Sequence, residues 1–318
     1  TMAKPRVKFG LAVNASETVN EAVQKSAEAE RRGLDYVWVG DASSERYGPT
    51  VASAIAANTK RLRIGLGLLS PYLHSPTQIS SGFTTLVELF GERFDLCIGV
   101  GDRSQLQRAG VIFPVGFDHL KHLMNAKEAI SKRFLRNKIR AKIFLGAQGP
   151  KILKIARFFD GVLLNHASPD MVKWAINQIE REKKVDLEIG IYAPSYVYSH
   201  FKEEVYKHLR IASSVVALGA STHVLEHYGV CERLRVARWK LRSGSAIDSV
   251  LKEVPKEVVG MFSIHMPSER LPEYIGELVQ LGVNQIVLGY PQNFSKETVR
   301  DLAKALIQYR RSAGLVAK

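Results

Sequence analysis

Two periods of hydrophobic and polar positions alternate along the chain. Short apolar runs, typical of strands buried on both faces, are separated by longer segments whose apolar residues recur every three or four positions, as in amphipathic helices. The runs predict strands at residues 9–13, 36–40, 63–69, 94–100, 142–145, 161–165, 187–198 and 285–289. The intervening segments predict helices at residues 17–32, 51–58, 76–89, 118–135, 150–158, 169–183 and 295–310.

This order of elements predicts an α/β protein of the (β/α)8 TIM-barrel type. We expect one barrel domain over residues 1–318, with a helical insertion at about 200–256 between the seventh and eighth strands that acts as a lid or an oligomer contact. Ser16 is the expected N-cap of the first helix and Gly33 its stop. Pro194 requires a bulge or a bend within the seventh strand.

Barrel enzymes carry their chemistry at the C-terminal ends of the strands. This rule selects the polar residues that follow the predicted strands, namely Asp41, Ser70, Asp102, Gln148, Asn165, His166 and Tyr290. For Asp41 and Asp102 two roles stay open, because a carboxylate at such a position either contacts a ligand and moves a proton or caps the following turn.

The histidines near these loops have no single interpretation. His74 and His166 follow predicted strands and lie near the expected cofactor loops, with a structural role as the alternative. His119 and His122 have a spacing compatible with a metal, but no third ligand is obvious, so we predict no metal site. A serine nucleophile is not indicated either, since the chain lacks the G-x-S-x-G pattern.

Glycines interrupt two of the predicted strand ends. Gly65 and Gly67 alternate with apolar residues, which indicates either a bulge with close approach of a bound group or an ordinary barrel corner. The turn Gly146-Ala147-Gln148-Gly149-Pro150 opens a helix, where backbone N–H groups bind a phosphate unless the turn is only a tight connection. Gly101 belongs to a lone G-x-G, which does not indicate a nicotinamide site.

Composition excludes several classes of protein. The chain has 46% hydrophobic and 24% charged residues, as in a core-forming protein, and neither a membrane span nor a secretory signal is predicted. Two cysteines without a disulfide framework indicate the cytoplasm.

The net charge of +14 suits an anionic ligand, a solvated basic surface or a nucleic acid. No nucleic-acid-binding motif accompanies the basic residues, so neither a nucleic acid nor a membrane is expected as a partner.

Five segments carry a resemblance that covers nearly the whole chain. IGLGLLSPYLHSPTQIS, CIGVGD, FLGAQGPKIL, DGVLLNHASP and LGVNQIVLGYP, in this order, resemble the archaeal methylenetetrahydromethanopterin reductases of the bacterial luciferase-like superfamily. The resemblance implies a barrel that binds the deazaflavin coenzyme F420 and passes a hydride between its C5 and a pterin-bound one-carbon unit. It also implies an archaeal, cytoplasmic homo-oligomer.

The resemblance also implies site residues. Gly67-Leu68 matches a dipeptide that forms a non-prolyl cis peptide behind the deazaflavin ring, and Asp41, Asp102 and the turn from Gly146 to Pro150 match positions around the ring and its phosphate tail. Together with the strand-end argument, this assigns catalysis to Asp41 and Asp102. It assigns cofactor binding to these two and to Gly65, Gly67, Leu68, Ser70, Gly101, Gly146, Ala147, Gln148, Gly149, Pro150, Asn165 and His166.

Two departures from the family bear on the reaction. The position of a first-strand glutamate, a proposed proton donor, is Ala12 here, and the segment 136–142 is shorter than the hairpin of the reductases. The alternatives are therefore FMN as cofactor, another substrate for an FMN- or F420-dependent enzyme, or a barrel that binds the cofactor without catalysis.

Overall fold

A closed parallel β-barrel forms the centre of the molecule. The computed structural model describes residues 6–13, 17–41, 46–101, 103–179 and 186–314. Its strands are β1 (Lys8–Val13), β2 (Tyr36–Val39), β3 (Arg63–Leu69), β4 (Phe94–Ile98), β5 (Ile143–Ala147), β6 (Gly161–Leu164), β7 (Glu188–Tyr198), β8 (Ile264–Pro267) and β9 (Gln285–Gly289). Strands β1 to β7 pair in chain order, and β9 closes the ring between β7 and β1. The predicted eight-stranded barrel is confirmed.

Helices cover the outside of the barrel and fill the segment before β8. They are α1 (Val19–Arg31), α2 (Gly48–Ala57), α3 (Pro76–Phe90), α4 (Arg103–Arg108), α5 (His119–Arg136), α6 (Pro150–Leu153), α7 (Pro169–Asn177), α8 (Glu203–Gly219), α9 (Thr222–His227), α10 (Arg235–Arg242), α11 (Ile247–Leu251), α12 (Lys256–Met261), α13 (Leu271–Gln280) and α14 (Lys296–Ser312). None of the helices in these ranges is long and apolar enough to cross a membrane.

Strand β7 leaves the barrel at the proline. Residues Gly190 to Pro194 pair with β9, and Ser195 to Tyr198 pair with β8. The seventh strand thus changes partner where a bend was expected, because proline has no N–H to continue the ladder. Strand β8, which the sequence analysis does not predict, lies outside the ring and prolongs the sheet along this tail.

Several predicted helix boundaries are wrong. The helix expected at 150–158 is broken into α6 and a tighter 3-10 turn at Ala156–Phe158, and these two pieces bury Leu153 and Ala156. Helix α7 ends at Asn177, where the backbone N–H of Gln178 bonds to carbonyls of the last turn, and the predicted end at 183 lies outside the described residues. Ser16 lies outside the described residues, and Thr18 forms the N-cap of α1 through a capping box with Glu21.

The lower end of the barrel interior holds an ionic network whose carboxylates are buried and whose cations reach the solvent. Glu188 accepts from Lys8 and Lys142 at 2.9 and 2.6 Å, and Asp95 accepts from Arg63 and from the Tyr36 hydroxyl at 2.9 and 2.7 Å. Above it lies an apolar cluster that includes Trp38, Cys97, Phe144, Leu163 and Val287. These layers fill the barrel from below, so a ligand has access only from the C-terminal ends of the strands.

Candidate functional site

Alternate strands contribute the uppermost filled layer of the barrel. Following the register around the ring, this layer consists of one residue each from β1, β3, β5 and β7, namely Ala12, Gly67, Gly146 and Tyr192. The rim above it comes from positions on or just beyond β2, β4, β6 and β9, namely Gly40, Gly99, Asn165 and Gly289. We call the surface formed by these eight residues and Leu68 the bowl. Small residues dominate it, so its floor is broad and shallow.

Leu68 is the extra residue of a bulge in β3. The register with β4 shifts between Leu66 and Leu69, and the Gly67–Leu68 peptide is cis, as the resemblance implies. A Cβ on Gly99 or on Gly146 would each lie 2.5 Å from Cδ1 of Leu68. The two glycines therefore make room for the leucine side chain, which lies across them and is half-buried.

The glycines lower in β3 accommodate protein side chains. A Cβ on Gly65 would lie 2.2 Å from the indole ring of Trp38, and one on Gly67 would lie 2.6 Å from Cβ of Cys97. The close approach that the sequence indicates at Gly65 is therefore made by Trp38. Gly65 lies below the bowl, whereas Gly67 forms part of its floor.

Tyr192 is a residue of the bowl that the sequence analysis does not name. It packs against the apolar cluster that contains Ala12 and Cys97, and its side chain stays partly exposed. Burial, and secondarily the Cys97 thiol, raise the pKa of its phenol, so the hydroxyl stays protonated. The signal in the sequence was the two-residue spacing from Gly190, which places both residues on the inner face of β7.

Asp41 follows β2, and protein groups bind both of its carboxylate oxygens. Oδ1 accepts a hydrogen bond from the backbone N–H of Gly48 at 2.9 Å, and Oδ2 lies 2.6 Å from Nε2 of His74. The ring of Tyr47 lies 5.6 Å from that of His74. Asp41 thus joins the start of α2 to the loop after β3. Asp102 lies outside the described residues.

Ser70 joins the loop after β3 to the end of β4. Its hydroxyl donates to the carbonyl of Val100 at 3.1 Å, and a Cβ on Gly101 would lie 3.6 Å from its Cβ. The neighbouring Tyr72 stacks on His122 with ring centroids 4.4 Å apart, and its hydroxyl lies 2.8 Å from Nδ1 of His119. Both histidines of the metal-compatible spacing therefore belong to an aromatic cluster beside the barrel mouth.

His166 is a buried link between two loops. Its Nε2 lies 3.0 Å from the carbonyl oxygen of Gln148 and its Nδ1 lies 3.4 Å from the hydroxyl of Tyr228. Burial lowers the pKa of the imidazole to about 4, so the ring is neutral at physiological pH. Asn165, one residue earlier, stands on the rim, and its carbonyl accepts from the Gln148 amide at 3.4 Å.

The predicted phosphate turn opens α6, which is only one turn long. Ala147 is the last residue of β5, and Gly149 is the N-cap of α6 without a side-chain hydrogen bond. A Cβ on Gly149 would lie 3.3 Å from the hydroxyl of Ser221, the N-cap of α9. Next to this turn a groove of about 550 Å³ is lined by Pro150, Lys151, Lys154, Trp174, Gln178, His223, Glu226 and His227. The groove is basic on its α6 side.

Tyr290 ends the last barrel strand and contacts the inserted helices. Its hydroxyl lies 2.6 Å from Nδ1 of His208 on α8. Close by in the loops after β1 and β9, Glu17 accepts from Lys25 at 2.8 Å and from Asn293 at 2.6 Å. Burial raises the pKa of Glu17 in spite of Lys25. These contacts fix the loops after β1 and β9 to α1.

The structure gathers most of the predicted site residues at one end of the barrel. Gly67, Leu68, Gly146 and Asn165 belong to the bowl, and Asp41, Ser70, Gly101, Gln148 and His166 hold the loops around it. Gly65 lies beneath it, and Gly149 and Pro150 lie at the adjoining groove. Fold and site thus define a (β/α)8 barrel protein whose candidate ligand site lies at the C-terminal mouth.

The family follows from comparison with known proteins. A family model described as luciferase-like monooxygenase matches residues 6–285, and the chain belongs to this family.

Within and around this family, the chain is similar to several reductases and dehydrogenases. The chain is 28% identical over 309 residues to a 5,10-methylenetetrahydromethanopterin reductase of Archaeoglobus fulgidus, covering 88% of this chain and 92% of the relative. Its fold is similar to that of the coenzyme F420-dependent tetrahydromethanopterin reductase from Methanopyrus kandleri, with a TM-score of 0.83, 22% identity and coverage of 96% and 99%. An F420-dependent secondary alcohol dehydrogenase with a bound F420-acetone adduct is similar at a TM-score of 0.70 and 15% identity, with coverage of 96% and 99%.

Proposed function

We propose that this protein is a coenzyme F420-dependent oxidoreductase that transfers a hydride between C5 of the deazaflavin and a pterin-bound one-carbon unit. The preferred substrate is methylenetetrahydromethanopterin or a related one-carbon pterin. Support comes from the reductase of Archaeoglobus fulgidus, which matches 88% of this chain. The observation that carries the proposal is the bowl, whose small residues leave a broad surface at the end of the barrel where the family's chemistry is expected.

The residues of the bowl fit a flat ring. Leu68 lies across Gly99 and Gly146 and presents an apolar surface, and Ala12 and Gly67 add no bulk to the floor. A reduced deazaflavin supplies a hydride from C5. Below the floor of the bowl, Trp38 and the layers beneath it close the barrel, so water does not reach a bound ring from that side. Hydride transfer requires little more from the protein than close placement of two carbons and exclusion of water.

We propose further that the phosphate tail of the cofactor runs from the bowl to the turn 146–150. As first-turn amides, the backbone N–H groups of Lys151 and Ile152 have no acceptor within α6, and Lys151 and Lys154 line the groove beside it. Because α6 is short, we ascribe the attraction to these amides and lysines rather than to a helix dipole.

Ala12 shapes the proposal for proton transfer. With only 3% of its surface exposed, it lies in the layer next to Tyr192 and carries no ionisable group. We propose Asp41 and Asp102 as the catalytic carboxylates, and the contacts of Asp41 with His74 and Gly48 also position its loop. Alanine at position 12, where the family has a glutamate, favours a second candidate function, an F420- or FMN-dependent oxidoreductase that acts on another substrate.

Cofactor titration followed by turnover tests the proposal. F420 and FMN are each titrated into the protein and followed by absorbance and thermal shift, and oxidation of reduced F420 is then measured with methylenetetrahydromethanopterin. F420 at a hundredfold excess over its Kd should raise the melting temperature by about 4 °C. Binding of FMN alone would contradict the cofactor assignment. Binding of F420 without turnover would favour another substrate or a non-catalytic barrel.

We also propose a cytoplasmic homo-oligomer. Cys97 and Cys231 are both free thiols. Helix α8 exposes Ile211 and Val215 on one face, four residues apart, and an apolar stripe of this kind packs against another helix. Sedimentation at several protein concentrations tests the assembly. A monomer at all of them would contradict it, and Val215→Glu should weaken an oligomer that uses this face.

A further inference from the structure

The hydroxyl of Tyr192 differs from those of the other tyrosines in the interior. Tyr36 donates to Asp95 at 2.7 Å, Tyr274 donates to the carbonyl of Ala167 at 2.7 Å, and Tyr196 accepts from the amide of Lys202 at 2.7 Å. Within the described part of the chain no hydrogen-bond partner exists for the hydroxyl of Tyr192. A phenol inside a protein usually has such a partner.

The position of Tyr192 shows where a partner would come from. The side chain is partly exposed, and its hydroxyl is not among the buried polar atoms of the described residues that lack a partner, so the oxygen itself is accessible. Because the layers below are filled, this exposure is toward the mouth of the barrel. The group that satisfies the hydroxyl therefore enters through the bowl.

The register places Tyr192 across the bowl from the Gly67–Leu68 bulge. Tyr192 on β7 and Gly67 on β3 belong to the same layer and lie on opposite strands of the barrel. Tyr192 packs against the apolar cluster that contains Cys97, and the backbone of Gly67 adjoins the same cysteine. Tyr192 therefore faces the Gly67–Leu68 bulge across the barrel, and Ala12, next to Tyr192 in this layer, is too small to fill the space between them.

We propose that the hydroxyl of Tyr192 donates a hydrogen bond to the deazaflavin ring and holds it against the Gly67–Leu68 bulge. This inference rests on the proposed function. The pyrimidine edge of a deazaflavin carries carbonyl oxygens, which accept from a phenol. Tyr192 is then a cofactor-binding residue on β7, the strand opposite β3 in the barrel.

Tyr192→Phe tests the inference, with Tyr196→Phe as a matched control on the same strand. In Tyr192→Phe the Kd for F420, measured by fluorescence titration, should rise about three- to tenfold, as expected for one lost hydrogen bond. Its melting temperature without cofactor should equal that of the wild type, because the hydroxyl has no partner in the fold. The visible absorption band of bound F420 should also shift, since a hydrogen bond to the chromophore is lost.

The control separates binding from folding. Tyr196→Phe removes a hydroxyl that is bonded within the protein, so its melting temperature should fall while its Kd for F420 stays unchanged. An unchanged Kd in Tyr192→Phe would overturn the role of Tyr192 and leave the proposed function intact. Failure of the wild type to bind F420 would refute the proposed function and this inference with it.

Discussion

Replacement of Gly146 by alanine tests how the floor of the bowl is built. The added Cβ would lie 2.5 Å from Cδ1 of Leu68 and 3.4 Å from Sγ of Cys97. The first contact is closer than real Cβ atoms tolerate, so the leucine side chain must move toward the mouth. Overpacking of this kind costs about 1–3 kcal/mol in the free energy of unfolding.

Removal of the leucine should relieve the clash. Leu68→Ala by itself costs roughly 1–2 kcal/mol, below the range of fully buried leucines, because the side chain is half-buried. The double variant Gly146→Ala/Leu68→Ala should then be about as stable as Leu68→Ala. The coupling energy of this double-mutant cycle should be about 1–3 kcal/mol, measured by equilibrium unfolding in urea.

Gly99→Ala provides the matched comparison. Its Cβ would also lie 2.5 Å from Cδ1 of Leu68, but in addition 3.0 Å from the carbonyl oxygen of Gly146. The backbone contact remains when the leucine is truncated, so Leu68→Ala should rescue Gly99→Ala only in part. If the effects of Gly146→Ala and Leu68→Ala add within about 0.5 kcal/mol, Leu68 is not the group for which Gly146 makes room, and our description of the bowl is wrong.

Two further predictions concern the loops around the bowl. Asp41→Ala leaves the N–H of Gly48 and the His74 ring without their acceptor and should lower stability in urea by about 1–3 kcal/mol, whereas Asp41→Asn should lose less because its amide oxygen still accepts from Gly48; equal losses would contradict the hydrogen bond. The unfolded chain protonates His166 below its ordinary pKa of 6.5, and the folded chain only below about 4. Stability should therefore fall by about 3 kcal/mol as the pH decreases from 6.5 to 4, and His166→Gln should show a flatter pH dependence in the same urea titrations.

The barrel strands could be predicted from the chain because each is a local apolar run with its own stop signals. Strand β8 could not, since its four residues, IHMP, are short and mixed in polarity and pair only with the tail of β7. The predicted helix at 150–158 is also longer than α6, which ends at Leu153. The apolar periodicity of residues 150–158 is compatible with one helix, but the chain winds more tightly at Ala156–Phe158, and periodicity does not distinguish the two.

For the candidate site, too, some features could be predicted from the sequence and others could not. Strand ends rich in glycine and carboxylates could be recognised in the sequence, and with the resemblance they predict a site at the C-terminal end of the barrel. The sequence indicates close approach at Gly65 but not by which group, and Asp41 is bound to His74, a residue 33 positions away. Such partners are chosen by packing between distant segments.

Tyr192 shows most clearly what the sequence by itself determined and what it did not. Alternation along β7 determines that Gly190 and Tyr192 share the inner face. Only closure of the ring by β9 sets the height of Tyr192 relative to Gly67 on the opposite strand. The alternation of side chains along a strand depends only on neighbouring residues. The height of a residue along the barrel axis, in contrast, depends on the register of every strand pair around the ring. The tertiary structure alone therefore decided which side chains meet at the mouth.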